Sequence, residues 1–331
     1  MACRRAFMAA LAVAASAGLL VACGSGSSAG EGARTITDGR GRAVEVPAAP
    51  RRVVALSEPT LDGMLALGLR PIATTGGRGQ SGTAAYLGTR ADGIPSVGAL
   101  GRPSIERVAE LRPDLILVDG TSIQDGAVID KLRRIAPTVY VSRTGEDWRR
   151  AFATLADVLG ERQRGDEVLA RYDDRVAAIR ERLGANAHAT VSIVRWGGIG
   201  LPAVLMREIA ASRILHDLGL RRPPFQDRKG PGHSVPVSLE NLDAIDADWM
   251  FLGALGTGAT GGVSEVPADV AAARDALRLA RQTPGFSELR SVRAGHVVAV
   301  DGSAWTSAGG VLAAGVVLDD VERTLASGRS S

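Results

Sequence analysis

Cysteine, histidine and aromatic residues are all scarce in this sequence. Of its 331 residues, two are cysteine, four are histidine and 4% are aromatic. Cys3 lies in an amino-terminal leader that we expect to be removed, so the mature chain would keep only Cys23 and could form no internal disulfide. Because Cys23 lies at the very start of that mature chain, no cysteine is left to serve as a buried catalytic thiol.

Strong net charge and the common catalytic motifs are also missing. The chain has 39 Lys and Arg against 36 Asp and Glu, a formal net charge of +3. No basic tract interleaved with aromatic residues is present, so nucleic-acid binding is not expected. Neither a Gly-x-Ser-x-Gly elbow nor a phosphate-binding glycine loop followed by Lys-Ser or Lys-Thr occurs. We therefore expect a protein that is not an enzyme.

The amino terminus is typical of an exported protein. Two arginines precede an apolar run over residues 6–22, which is short for a membrane span. The run ends in Leu-Val-Ala-Cys, which resembles the lipobox of bacterial lipoproteins and implies cleavage before Cys23 and a lipid on its thiol. Residues 1–22 are thus interpreted as a signal peptide, and residues 23–33 as a lipidated flexible tether on the extracytoplasmic face of the cell membrane. An ordinary signal peptide with an incidental cysteine is the alternative.

One sequence pattern occurs twice in the chain. Residues 103–117 and residues 237–251 both contain Ser, an aliphatic residue, Glu, apolar residues at helical spacing, a break ending in Asp, and an apolar run. This pattern is typical of a serine-capped short helix followed by a buried strand. An αβ unit that occurs twice, with Ser and Glu at the same spacing, predicts two similar lobes with a cleft between them. Ligands commonly bind in such clefts.

Strand and helix patterns alternate along the rest of the chain. A hairpin is predicted over residues 35–47, and the alternation after it favours parallel sheets covered by helices. Residues 146–183 have the longest helical pattern, interrupted at two glycines, and its long polar face predicts a helix that joins the lobes; an ordinary surface helix is the alternative. The predicted fold class is α/β, two lobes each with a central mostly parallel sheet. The lobes are expected at residues 34–145 and 188–331, with the linker helix region at residues 146–187.

A series of motifs follows in a fixed order along residues 34–327. The motifs are Arg-Arg-Val-Val-Ala-Leu at 51–56, Leu61-Asp62 to Leu67-Gly68, Tyr86-Leu87-Gly88, Ile94-Pro95-Ser96-Val97-Gly98, Leu111 to Leu117, Asp301-Gly302-Ser303-Ala304-Trp305 and Leu318-Asp319-Asp320. In order and spacing they resemble the iron-siderophore substrate-binding lipoproteins of ABC importers. The resemblance implies two α/β lobes joined by one rigid helix. It also implies that the protein captures a ferric siderophore, has no cofactor, and delivers its ligand to a permease that a partner ATPase drives.

Residues at the carboxyl ends of the predicted strands are the first candidates for ligand contacts. Arg195 and Trp196 end the strand that opens the second lobe, and the resemblance implies that Arg195 contacts the iron-chelating oxygens. A surface arginine packed on tryptophan is the alternative. The other candidates, by position, are Trp305, Tyr86, Arg102, Ser57, Glu58 and Arg207.

Several of these candidates have a competing interpretation. Core packing would explain Trp305 equally well, and some family members have their arginine where this chain has Leu100 rather than at Arg102. Met206 and Arg207 replace the aromatic or polar residues usual in the family. The scarcity of aromatic residues favours an anionic ligand, catecholate or carboxylate, over a neutral hydroxamate.

Two glutamates occupy the same offset in the two copies of the repeat. The resemblance implies that Glu106 and Glu240 dock on arginines of the membrane permease. The alternative is that each is a favourable anion near a helix amino terminus, an effect of about 0.3–1 kcal/mol. The protein is otherwise expected to be a monomer.

Two other classes of ligand are alternatives to a ferric siderophore. Haem or a corrinoid would use Tyr86 or His233 as an axial ligand. A bare metal ion would need three or four converging His, Asp or Glu side chains. His188, His216 and His296 are predicted to lie away from the cleft, so this alternative is weaker and no metal site is expected.

Overall fold

The structure is a computed structural model that describes residues 32–196, 202–230, 233–255 and 268–326. The predicted signal peptide, Cys23 and most of the predicted tether lie outside the described residues. The first strand begins at Ala33, the last residue of the predicted tether. In the part of the chain that the structure describes, none of the helices has the length and apolar character that crossing a membrane requires.

Thirteen strands are present among the described residues. They are β1 (Ala33–Thr37), β2 (Ala43–Pro47), β3 (Val53–Ala55), β4 (Ala73–Thr74), β5 (Gly98–Ala99), β6 (Arg102–Pro103), β7 (Leu115–Val118), β8 (Thr138–Tyr140), β9 (Val191–Arg195), β10 (Ala203–Leu205), β11 (Ser234–Pro236), β12 (Trp249–Gly253) and β13 (Val297–Val300).

The helices of the described residues flank these strands. The α-helices are α1 (Glu58–Ala66), α2 (Ile105–Glu110), α3 (Gly126–Arg133), α4 (Trp148–Val158), α5 (Arg162–Arg182), α6 (Ala210–Asp217), α7 (Val270–Ala280), α8 (Arg290–Arg293), α9 (Gly302–Trp305) and α10 (Val311–Val321). Shorter 3₁₀ segments occupy Ala85–Ala91, Gly184–His188, Leu239–Ile245 and Phe286–Glu288, and a π-helical turn, Glu322–Ala326, follows α10.

Two main sheets organise the chain. The amino-terminal sheet has the strand order β4-β3-β7-β8, and all of its pairs are parallel. The carboxy-terminal sheet has the order β11-β10-β9-β12-β13. Strands β9, β12 and β13 pair in parallel, and β10 pairs antiparallel with both of its neighbours, β9 and β11. The predicted α/β class with mostly parallel sheets is confirmed, as is the antiparallel hairpin formed by β1 and β2.

Side chains alternate between two cores along the central strands. In β7, Leu115 and Leu117 face a large core to which both sheets contribute, whereas Ile116 and Val118 face a smaller core under α2 and α3. In β12, Phe251 faces the same large core and its neighbours face a third core near α7. Two-residue periodicity produces this division. The two halves of the chain therefore share one apolar core.

The predicted linker helix over residues 146–183 is two helices, α4 and α5. Gly160 adopts φ +78° and ends the first of them, a conformation that favours glycine over other residues. The second runs unbroken for 21 residues and passes through Gly165, the second glycine at which an interruption was predicted. It is bonded to both halves: Arg164 Nη1 donates to Leu67 O at 2.9 Å, and Tyr172 Oη donates to Asp217 Oδ2 at 2.7 Å.

The first and last α-helices are also bonded to each other. Asp62 of α1 is fully buried and accepts the backbone N–H groups of Leu312 at 2.9 Å and Ala313 at 3.0 Å, at the start of α10. Tyr86 Oη donates to the same carboxylate at 2.8 Å. A helix amino terminus has unpaired N–H groups and a positive dipole end, so a buried carboxylate is well placed there.

Candidate functional site

A cavity of about 360 Å³ lies where segments from both halves meet. Loops that follow β7 and β8, at the carboxyl ends of the amino-terminal sheet, form one wall. The start of α6, the loop before β11 and the start of α10 form the other. Its described lining includes Pro59, Thr60, Arg78, Asp119, Thr121, Ser142, Arg143, Glu146, Trp148, Phe152, Leu155, Glu208, Ile209, Lys229, His233 and Val311. The carboxyl ends of parallel strands are the usual place for ligands in α/β sheets.

One part of the cavity wall is apolar. Trp148, Phe152 and Leu155 reach it from α4, and Ile209 and Val311 reach it from the other half. Trp148 packs edge-on against Tyr172 with ring centroids 4.9 Å apart. Its indole N–H is buried without an acceptor among the described residues. The apolar wall therefore includes one unused hydrogen-bond donor.

The remaining lining carries both signs of charge. Arg143 and Lys229 are exposed, and Arg78 is half-buried. Arg78 Nη2 donates to Thr121 O at 2.6 Å, which fixes its guanidinium against the loop after β7. Asp119 is almost fully buried in that loop, and burial raises the pKa of its carboxyl. One of its oxygens accepts from the backbone and hydroxyl of Thr121, at 2.9 and 2.7 Å.

Arg195 ends β9 and is the largely buried cation of the site. Its Nη2 donates to Thr306 O, and its Nε is buried without an acceptor among the described residues. Burial, with a contribution from the charge of Arg78, lowers the pKa of Arg195 to about 10, and Glu58 opposes that shift. Arg195 is not one of the residues that line the cavity, but it interacts electrostatically with two that do, Arg78 and His233.

Ser57 and Glu58 follow β3 and are both buried. Ser57 caps α1, because its Oγ accepts from Thr60 N at 3.3 Å. Glu58 Oε1 accepts from Arg78 N at 2.7 Å, and its Oε2 accepts from Ser307 Oγ. These contacts place Glu58 between the two halves, next to the cationic residues rather than in the cavity lining.

Three aromatic candidates lie in the core. Trp305 is fully buried, stacks on Phe251 with centroids 4.4 Å apart, and donates its indole N–H to Asp320 at 2.8 Å. Trp196 is 3% exposed and packs edge-on against Phe286. Tyr86 is buried, and its hydroxyl is bonded to Asp62. In this conformation none of the three presents a ring face for a ligand.

Two arginine candidates lie elsewhere on the surface. Arg102 is exposed in β6, outside the cavity lining. Arg207 is exposed and paired with Asp227, with Nε 3.1 Å from Oδ1. Neither is brought to the cavity with Arg78.

The two glutamates of the repeat are both exposed. Glu106 lies in the first turn of α2, where its own backbone N–H and the Ser104 hydroxyl, 3.2 Å away, lower the pKa of its carboxyl. Glu240 lies in the 3₁₀ segment Leu239–Ile245. Their exposure is compatible with docking and equally with a favourable charge at a helix start.

Several lining residues were not predicted from the sequence. Arg78, Arg143, Lys229 and Glu208 lie in loops without a recognisable motif. Asp119 could have been found, because it directly follows the apolar run of β7, as Ser57 follows β3. The others come together only through the fold.

The sequence profile of the periplasmic binding protein family matches residues 53–304. This chain belongs to that family. A probable siderophore-binding lipoprotein of Bacillus subtilis, YfiY, is 30% identical over 87% of this chain and 86% of its own length. The iron(3+)-hydroxamate-binding protein FhuD of the same organism is 31% identical, covering 78% of this chain and 83% of its own.

Solved structures agree with the fold. Staphylococcus aureus SirA, complexed with staphyloferrin B, superposes with a TM-score of 0.74 and 23% identity, covering 88% of this chain and 98% of SirA. The family resemblance predicted from the motifs is thus confirmed. This periplasmic binding protein has its cavity at the junction of the two halves, and its relatives are named as binding proteins, not enzymes.

Proposed function

We propose that this protein captures a ferric siderophore in the cavity between its two halves and delivers it to an ABC importer, without catalysing a reaction. The observation that carries the proposal is a cavity edged by cations from both halves, in a periplasmic binding protein whose curated relatives bind iron chelates. Ferric siderophores are bulky and often anionic, and a site for an anionic one needs cationic groups beside a partly apolar wall. Both features are present here.

The direct test is a titration of the purified protein, monitored by tryptophan fluorescence. Trp148 lines the cavity, whereas Trp196 and Trp305 do not, so quenching of Trp148 emission is the most direct report of occupancy among the three. The panel contains ferric citrate, ferric staphyloferrin B, ferric bacillibactin, ferrichrome, haemin and vitamin B12, each with an absorption control. Saturable quenching by a ferric siderophore is expected. No saturation with any ferric siderophore would overturn the proposal.

Haem or a corrinoid is the second candidate cargo. His233 lines the cavity and could approach an iron or cobalt atom, whereas the hydroxyl of Tyr86 is occupied by Asp62. Saturation with haemin or vitamin B12, and with none of the ferric siderophores, would show that the protein is a binding protein for a haem or a corrinoid instead.

Attachment to the membrane is proposed to use a lipid on Cys23. The Leu-Val-Ala-Cys motif supports it, and the relative YfiY is named a lipoprotein. Cys23→Ser should release the protein from the membrane fraction; a variant that still sediments with membranes would contradict the anchor.

Docking on the permease is proposed to use Glu106 and Glu240. Their matched positions in the repeat and their exposure support this role. The charge-reversal experiment in the Discussion tests it.

A further inference from the structure

One or two arginines stand shortly before each strand of the amino-terminal sheet. In the strand order β4-β3-β7-β8 they are Arg70, Arg51 with Arg52, Arg112, and Arg133 with Arg134. All pairs in this sheet are parallel, so the amino ends of its strands meet at one edge. Neighbouring strands lie about 4.8 Å apart, which gives a row roughly 15 Å long. We call this row of arginines the arginine edge.

Hydrogen bonds hold several of these side chains at the edge. Arg52 Nε donates to Arg112 O at 3.1 Å, and Arg52 Nη2 donates to Leu111 O. Arg70 Nη1 donates to Arg90 O at 3.0 Å, which places the exposed Arg90 beside the row. The acceptors are main-chain carbonyls, so these bonds fix the guanidinium groups without neutralising their charge.

Carboxylates near the arginine edge are fewer than its cations. Asp114 lies within the row, and its oxygens accept the backbone N–H groups of Arg51 at 2.7 Å and Arg52 at 2.9 Å. Asp130 pairs with Arg133 at 3.0 Å. The exposed carboxylates nearest in sequence are Asp92 and Glu110. The edge therefore has a net positive charge.

The corresponding edge of the carboxy-terminal sheet has mixed charge. Asp246 and Asp248 precede β12, whereas Arg293 and His296 precede β13. Asp248 also pairs with Arg290 at 3.4 Å. The excess of arginine thus belongs to one edge, in a chain whose 39 Lys and Arg nearly balance its 36 Asp and Glu.

The described chain begins close to the arginine edge. Gly32 O accepts from Ala48 N at 2.9 Å, and Ala48 is only three residues before Arg51. Gly32 therefore lies within roughly 15 Å of Arg51. The stretch from Cys23 to Gly32 reaches at most roughly 30 Å when fully extended. A lipid on Cys23 would keep this edge within reach of the bilayer surface.

We propose that the arginine edge contacts the anionic head groups of the membrane surface and so orients the protein there. The inference rests on the proposed attachment through Cys23. Arginine matches phosphate oxygens with paired N–H donors, and basic side chains near an anionic membrane surface strengthen binding. The cavity lies at the carboxyl ends of the same strands, so this orientation keeps it away from the lipid. Salt screens such contacts, which leaves them reversible.

Vesicle flotation tests the contact with a chain that begins at residue 23 and carries Cys23→Ser, so that no lipid anchors it. The vesicles contain phosphatidylglycerol and phosphatidylcholine in equal parts, or phosphatidylcholine alone. The chain should float with the anionic vesicles only, and should be released as salt rises from about 0.05 to 0.5 M. Arg90→Gln, Arg112→Gln and Arg134→Gln together should weaken binding by at least about tenfold.

A matched triple variant removes the same charge elsewhere. Arg171→Gln, Arg274→Gln and Arg281→Gln change exposed arginines of α5 and of α7 with its carboxyl end, and should leave vesicle binding unchanged. Equal loss in both triple variants, or equal binding of the unsubstituted chain to neutral vesicles, overturns the inference. Normal vesicle binding by the edge variant with loss of importer-dependent uptake also overturns it, and assigns the edge to a protein partner.

The orientation is tested without changing any arginine. The chain with Cys23→Ser contains no cysteine, so one fluorophore can be attached through Ala109→Cys or Thr144→Cys. Ala109 O accepts from Arg112 N at 3.0 Å, whereas Thr144 lines the cavity. An energy acceptor in the bilayer should quench the fluorophore at 109 more strongly than the one at 144. The reverse order overturns the orientation.

These outcomes are separate from those of the proposed function. The substituted arginines do not line the cavity, so the edge variant should keep the wild-type Kd for a ferric chelate. Failure of every ferric chelate to bind would overturn siderophore capture and leave the vesicle result standing. Failure to bind anionic vesicles, with Cys23-dependent sedimentation retained, overturns this inference alone.

Discussion

Asp62 shows how one buried side chain can hold two distant parts of the chain together. Its carboxylate receives the amino-terminal N–H groups of α10 and the hydroxyl of Tyr86. A Cβ atom at Gly310 would overlap this carboxylate, so the chain must have glycine beside it. Burial nevertheless raises the pKa of Asp62 to about 6 from 3.8, because desolvation outweighs these hydrogen bonds.

The first prediction concerns Asp62 and pH. Because its folded-state pKa lies above its unfolded-state value, the folded state binds this proton more tightly. Its favourable contribution is present below about pH 4 and is lost as pH rises through about 6. The free energy of unfolding of the wild type should therefore fall relative to that of Asp62→Asn, by up to roughly 3 kcal/mol between these limits.

Urea unfolding across this pH range measures the difference. Asp130→Asn, at an exposed carboxylate of α3, is the control and should show little change. If Asp62→Asn and the wild type keep a constant difference at every pH, Asp62 does not titrate as described.

Position at the end of a strand did not by itself predict which residues line the cavity. Ser57, Glu58 and Arg195 were predicted from their places at or just after strand ends, and strand patterns are strong local signals, yet none of the three lines the cavity. Trp196 and Trp305 follow strands in the same way, yet they lie in the core. Position along a strand does not determine whether a large aromatic ring faces the cavity or the core. Burying the apolar surface of the ring stabilises the folded protein, and this favours a place in the core.

The two copies of the αβ repeat became different structures. In the first, Ser104 caps α2 by accepting from Arg107 N at 3.3 Å. In the second, the predicted helix is the 3₁₀ segment Leu239–Ile245, where Asn241 leaves helical geometry at φ −123° and ψ 38°. Asparagine competes with helix formation through local hydrogen bonds, which a match of Ser and Glu offsets does not reveal. The strands of both copies, β7 and β12, form as predicted.

The two short strands at one side of the carboxy-terminal sheet were the least predictable elements. Both β10 and β11 are three residues long and were missed, because so short a pattern has little periodicity. The break between α4 and α5 was expected at Gly160 and was found there. Gly165, the second expected break, lies inside α5, where its missing side chain allows close packing on Ala156.

The second prediction concerns the crossing of α9 and the end of β12. A Cβ atom at Gly302 would overlap the carbonyl of Ala254, which is backbone and cannot rotate away. Gly302→Ala should therefore destabilise the protein by about 1–3 kcal/mol or more, as overpacking does. Gly315→Ala in α10 is the matched control, because its Cβ would meet nothing within 4 Å.

For Gly315→Ala, helix propensity predicts stabilisation of up to about 1 kcal/mol. Denaturant unfolding of both variants gives the comparison. A Gly302→Ala variant as stable as the wild type would show that the two segments are not in this contact.

The arrangement of the two halves follows from their shared core and from α5. Arg175 pairs with Glu322 at 3.2 Å, and Arg182 pairs with the same carboxylate at 2.7 Å, so the end of α5 is bound to the carboxy-terminal half. Its start is bonded to Leu67 in the amino-terminal half. A shared core and a helix bonded to both halves favour small changes in cleft width on binding.

The third prediction separates transport from binding. Reversing both docking candidates, Glu106→Arg with Glu240→Arg, should lower importer-dependent uptake of a bound ferric chelate by more than about tenfold. The Kd for the chelate should stay unchanged, because neither residue lines the cavity. Radioactive iron uptake and calorimetry measure the two effects.

A matched control reverses the same charges elsewhere. Glu167→Arg with Glu181→Arg changes two exposed glutamates of α5 and should leave uptake intact. Loss of chelate binding in the Glu106/Glu240 variant, or normal uptake by it, would contradict docking through these residues.

The central claim is that the cavity between the halves is where the iron chelate binds. It is tested most directly by calorimetry on Arg78→Gln and Arg143→Gln, at two arginines that line the cavity, with each ferric chelate that saturates the wild type. Arg171→Gln, at an exposed arginine of α5, serves as the matched control. Loss of a hydrogen bond to a charged group predicts at least about tenfold weaker binding in each cleft variant. The control should bind as the wild type does. Equal affinity in all of these proteins would place the chelate elsewhere on the molecule.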